Sequence, residues 1–64
     1  MTLGDFLKNK RKEKCLSQYE LSKLSGVNIT TISLIECNRI NPQIKSLGKI
    51  CKVLDCIDEI EKYL

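Results

Sequence analysis

Apolar residues recur along this chain at helical spacing, three and four apart, and no stretch indicates a strand. Leu3 and Leu7 make one such face, Ile32 and Ile35 another, and Leu47, Ile50 and Leu54 a third. The spacing predicts five helices, at about residues 2–14, 18–25, 29–37, 44–54 and 57–64, with a loop over 38–43. Leu3 and Leu7 face inward on the first, and its lysine-rich side faces out. Leu21 and Val27 flank a turn between the second and third helices, so that these two and Ile32 and Ile35 can face one core. Leu47, Ile50, Cys51 and Leu54 are the buried face of the fourth, and Asp58 and Glu59 suit the positive end of the fifth.

The connection between the second and third helices is the most specific part of the pattern. Ser17 with Glu20 makes a capping box, in which hydroxyl and carboxylate each satisfy an otherwise orphan backbone donor. Gly26 stops that helix, because glycine takes a left-handed backbone without the Cβ penalty, and Asn28 is a good N-cap for the next. Two helices so closely connected cross steeply and nearly touch. Ser22, one turn before Gly26, is small enough to allow the approach, and its hydroxyl must then bond a carbonyl or reach water. At about 100° per residue from Ile32, the outward positions are Thr30, Ser33, Leu34 and Cys37, with Ile29 on the flank. A short helix presenting small hydroxyl and apolar groups has the size and shape for a DNA major groove.

From about Leu3 to Ile60 the chain resembles the phage-repressor-like (Cro or XRE type) helix-turn-helix DNA-binding domains. The matching features are Leu7 and Arg11 in the first helix, Leu16-Ser17-Gln18, Leu21, the Gly26-Val27-Asn28 turn, Ile32, and Ile35-Glu36 followed by Arg39 and Asn41-Pro42. Ile44, Leu47, Ile50 and Leu54 then fit a fourth helix. The chain departs from the family at four places. Ser22 replaces the usual alanine, Asn38 the glycine after the recognition helix, and Cys15 the glycine that ends helix 1 in many members, while the usual arginines or glutamines of the recognition face are absent. Asparagine is the second-best residue for a left-handed cap, so the turn at Asn38 should survive.

The resemblance implies an all-α, compact five-helix bundle of the lambda-repressor-like type, with its helix-turn-helix at helices 2 and 3. It implies that helix 3 enters the major groove while helix 2 lies across the backbone. Ile29, Thr30, Ser33 and Leu34 would then meet base edges. Gln18, Asn28, Thr31, Arg39 and Asn41 would meet or align on the sugar-phosphate backbone. Arg11 on helix 1 would pair with Glu36 and fix the recognition helix against the bundle. Ile57, Ile60, Tyr63 and Leu64 are more apolar surface than a terminal helix needs to cover a small core, and a homodimer through that segment is expected.

Charge sharpens this picture. The chain carries a net +3, but residues 1–54 hold ten Lys and Arg against four acids, a net of +6, whereas residues 55–64 hold −3. A protein that meets phosphates with one side and turns its C-terminal helix away would be built so. Charge runs are mostly solvated faces, so only part of the basic cluster at residues 8–14 is assigned to phosphates. With guanine-reading and adenine-reading side chains missing, apolar contact with thymine methyls remains, and the expected operator is palindromic and rich in A·T pairs.

Other chemistries find little support. The cysteines at 15, 37, 51 and 56 include no Cys-x-x-Cys pair and there is no histidine, so the usual zinc spacing is missing and no metal is expected. Cys51 reads as a small core hydrophobe. No nucleophile motif or glycine-rich phosphate loop is present, and neither enzyme activity, cofactor nor small-molecule ligand is expected. With one proline and no glycine-rich linker, internal repeat or low-complexity tract, the sequence reads as one domain over residues 1–64, and its apolar runs, too short for a membrane span or signal core, point to the cytoplasm.

The sequence therefore favours a small sequence-specific transcriptional regulator of double-stranded DNA, most simply a repressor. An autoregulatory antitoxin or a restriction-modification controller would share every feature named here. A protein-interaction module that has lost DNA binding is the alternative of another class, permitted by the weak hydrogen-bonding capacity of the recognition face.

Overall fold

Four backbone reversals, rather than long helices, shape this molecule. In the computed structural model, which describes residues 1–63, the order is α1 (Leu3–Glu13), α2 (Gln18–Ser25), α3 (Ile29–Glu36), α4 (Ile44–Leu54) and α5 (Ile57–Ile60), tightening into a 3-10 turn at Glu61–Tyr63. The architecture is all-helical, as expected. Helix ends differ from the periodicity by a residue or two for identifiable reasons. Thr2 caps α1, its hydroxyl accepting the Asp5 N–H at 3.2 Å, so the helix begins one residue later than expected. Lys14 and Cys37 are C-caps rather than helical residues. The fifth helix was expected over 57–64; α5 ends at Ile60, where a tighter turn takes up the closing carbonyls. Leu64 lies outside the described residues.

α1, α3 and α4 end in one way. After each, a non-glycine residue takes a left-handed backbone, Cys15 at φ 58°, Asn38 at 60° and Asp55 at 55°. The next N–H then reaches back five residues, Leu16 to the Arg11 carbonyl, Arg39 to Leu34 and Cys56 to Cys51, at 3.1, 2.9 and 3.1 Å. These bonds satisfy carbonyls that a helix end leaves orphaned. Only α2 uses glycine, Gly26 at φ 77°. The reversal at Asp55 carries no glycine or asparagine signal in the sequence.

The core gathers the faces the periodicity picked out. Leu7, Leu21, Val27, Ile32, Ile35, Leu47, Ile50, Cys51 and Leu54 are all buried, together with Phe6, Cys56 and Ile60. Leu3 and Leu16 pack on its edge. α2 packs on both α3 and α4, and α1 braces α3 from the other side. Cys51 and Cys56 meet because the reversal after α4 brings these two positions together, the hydrophobic contact that usually accompanies such a turn. Burial pushes the Cys51 thiol up to about 12 and raises Cys56 as well. Among the described residues no helix is long and apolar enough to cross a membrane.

Candidate nucleic-acid interface

The helix-turn-helix is built by short polar side chains that hold backbone in place. Ser17 Oγ accepts the Glu20 N–H at 3.0 Å while Glu20 Oε1 accepts the Ser17 N–H at 2.9 Å, closing the capping box. The Ser17 backbone N–H first, and the nearby Ser17 hydroxyl second, hold the Glu20 carboxyl below the usual glutamate range. Because the folded value is the lower one, the stabilisation is full above the unfolded pKa and is lost as pH falls through the folded one. At the turn, Ser22 Oγ donates to the Val27 carbonyl at 2.7 Å, and Ser25 Oγ accepts the Val27 N–H at 3.2 Å. Serine in place of alanine thus ties α2 to the turn. Asn28 then starts α3, its Oδ1 accepting the Thr30 N–H at 2.8 Å.

This scaffold leaves the N-terminal half of α3 facing outward. Ile29 and Thr30 are exposed, while Thr31, Ser33 and Leu34 are half-buried, so the four expected base-reading positions share one face and differ in how far they protrude. Arg39 and Asn41 are exposed in the loop that follows, beside the C-terminal end of α3. Gln18 differs from expectation in one respect. Its side-chain amide donates to Glu36 Oε1 at 3.1 Å, so that amide is engaged within the protein.

Arg11 and Glu36 form a two-pronged ion pair, Nε to Oε2 at 2.7 Å and Nη2 to Oε1 at 3.0 Å, with both residues buried. The remaining arm of Arg11 donates to the Leu16 carbonyl at 2.7 Å. One guanidinium therefore joins the body of α1, its closing turn and the last residue of α3. No buried side-chain nitrogen or oxygen lacks a partner among the described residues.

The basic and acidic ends of the chain meet at Lys10. Its ammonium bonds Glu59 at 3.0 Å, lies 3.9 Å from Glu13 and sits 5.7 Å above the Phe6 ring. The bond to Glu59 raises its pKa. Lys10 thus secures α5 against α1, whereas Lys8, Lys12 and Lys14 are exposed.

The expected dimer surface is rearranged. Ile60 is buried in the core and the Tyr63 ring stacks against Phe6 with centroids 4.8 Å apart, because the sharp turn at Asp55 folds so short a helix back over the core. Of that set Ile57 is the one that faces outward, 58 % exposed, and Leu64 lies outside the described residues. Ile44, which helical spacing had grouped with the fourth helix's apolar pattern, is 84 % exposed and borders the same apolar groove as Ile57, over Leu47, Gly48 and Cys51.

Gly4 carries a contact that no local pattern signals. In the fold its N–H donates to Asn38 Oδ1 at 3.1 Å, and a Cβ there would overlap the Ile35 carbonyl oxygen and the Asn38 side chain. Neither contact has a signal in the sequence, since both partners are distant in the chain, Asn38 by 34 residues.

Comparison with known proteins agrees with this geometry. The chain is 42 % identical over 53 residues to the "ImmF control region 10 kDa protein" of Bacillus phage phi105, an alignment that covers 83 % of this chain and 59 % of the relative, so the chain spans well under two thirds of that relative's length. No solved structure matches it. Residues 7–61 match the helix-turn-helix family, with the two motif helices where the sequence pattern expected them, and the chain belongs to that family.

Proposed function

We propose that this protein is a transcriptional repressor that binds a specific double-stranded DNA sequence as a homodimer in the cytoplasm. The observation that carries the reading is the outward face of α3. Ile29, Thr30, Ser33 and Leu34 share one face, the first two exposed and the last two half-buried, on a helix whose far end is clamped by Arg11 and Glu36. α3 would lie in the major groove with these four at base edges. Arg39 and Asn41 would meet the phosphates on one side. The N–H groups that begin α2, at Gln18, would meet those on the other, where a helix N-terminus favours an anion. Asn28 and Thr31 would set the start of α3 against the backbone. The name of the phage relative, a control-region protein, supports a regulatory role.

The second copy would pack on the groove bordered by Ile44 and Ile57, the most exposed apolar residues of α4 and α5. Two half-sites about one helical turn apart then follow from a two-fold axis.

Titration of duplex DNA against salt tests the reading. Affinity should fall steeply from low to physiological salt, and Arg39→Ala should weaken binding to all sequences about equally. An affinity indifferent to salt would overturn the phosphate contacts, and no binding to any duplex would leave a protein-interaction role in place of this reading.

A further inference from the structure

α1 touches the recognition helix at two heights. Gly4 and Arg11 are seven residues apart and so lie on one face of α1, two turns from each other. Arg11 holds Glu36, the last residue of α3, while Gly4 holds Asn38, two residues further on. The second contact is close: the Gly4 N–H reaches Asn38 Oδ1 at 3.1 Å, and only a residue without Cβ fits against the Ile35 carbonyl there.

Asn38 is doing two separable things. Its backbone, at φ 60°, makes the left-handed reversal that sends the Asn38 N–H to the Ile35 carbonyl and the Arg39 N–H to Leu34. Glycine would serve that purpose as well or better. Its side chain does what glycine cannot, supplying an acceptor for a first-turn N–H of α1 beside the Thr2 cap. The positive end of α1 is thereby set against the negative end of α3, a favourable head-to-tail arrangement of helix dipoles. Arg39 is the next residue, and its exposed side chain leaves the backbone from the point this contact holds.

We propose that Asn38 is a positioning residue for DNA binding: its side chain, hooked to the Gly4 N–H, holds the turn after the recognition helix so that Arg39 and Asn41 meet the phosphate backbone in register with α3. The proposal rests on the DNA-binding reading above. Arg11 and Glu36 hold the helix body, and the Gly4–Asn38 contact holds the segment beyond it.

The test uses Asn38→Gly, which keeps the reversal and removes the acceptor, with Asn38→Asp, which keeps both, as the second variant should the first lose its helical circular dichroism. Binding to random and to selected duplex is measured across a range of salt, alongside hydrogen exchange of the Gly4 amide. Asn38→Gly should unprotect that amide and lower the slope of log affinity against log salt by about 0.9, the share of one phosphate contact. Asn38→Asp should keep the amide protected and the slope near that of the parent. A merely structural role would shift the melting temperature and leave the slope alone. An unchanged slope in Asn38→Gly with the Gly4 amide unprotected overturns the proposal and leaves DNA binding intact. Failure of the parent protein to bind duplex at low salt overturns both.

Discussion

Arg11 and Glu36 face each other across the α1–α3 contact through two parallel hydrogen bonds of 2.7 and 3.0 Å, and both are buried. The geometry is the fork-to-fork pairing that guanidinium and carboxylate favour. Removing either partner strands a desolvated charge, which costs more than the pair itself contributes. Glu36→Gln should therefore lower unfolding stability by about 3–5 kcal/mol in urea titration. Replacing both with methionine should cost less than the sum of the two single replacements. Strict additivity would show that the two charges do not depend on each other.

The glycines make a graded series. Gly26 sits at φ 77° with nothing near its Cβ position, so Gly26→Ala meets only the left-handed backbone penalty, about 1–2 kcal/mol. Gly48 is exposed within α4 with open space around it, and Gly48→Ala should raise stability by about 0.5–1 kcal/mol. Thermal melts of the two variants should move in opposite directions. A fall in both would mean that Gly48 serves a packing need.

The four thiols should divide by exposure. Cys15 and Cys37 are exposed, whereas Cys51 and Cys56 are buried and Cys51 is pushed up to about 12 by that burial. A thiol reagent at neutral pH should label two cysteines rapidly in the native protein and the other two only on unfolding, because the thiolate is the reactive form. Peptide mass mapping identifies which. Equal rates at all four would mean that α5 opens readily from the core.

Sequence reading by α3 has its own signature. Thr30 and Ser33 offer single hydrogen bonds, and Ile29 and Leu34 apolar contact suited to thymine methyls, so half-sites selected from a random pool should be rich in A·T pairs. Thr30→Ala and Leu34→Ala should each cost about 1 kcal/mol or more on the selected operator and little on random duplex. Leu34 is half-buried, so its variant is compared at matched folded fraction. Equal losses on both DNAs would remove these residues from the reading face.

By itself the sequence determined the helices, the capping box at Ser17 and Glu20, the stop at Gly26, the cap at Asn28 and most of the core. These depend on residues within one or two turns of each other, and local spacing carries that information. The resemblance to phage-repressor-like domains added Arg11 with Glu36, a contact across 25 residues that periodicity alone does not reveal. Tertiary structure decided the rest. Gln18 turned its amide to Glu36, Lys10 turned to Glu59, and Gly4 came against Asn38, because each partner is distant in the chain and becomes near only when α1, α3 and α5 pack. Ile60 and Ile44 make the same point from the apolar side. Both fit a helical stripe, yet Ile60, carried back over the core after the left-handed turn at Asp55, is buried, while Ile44, in the first turn of α4, is exposed. A hydrophobic pattern states that a face must be covered; which residues cover it follows from where the chain reverses.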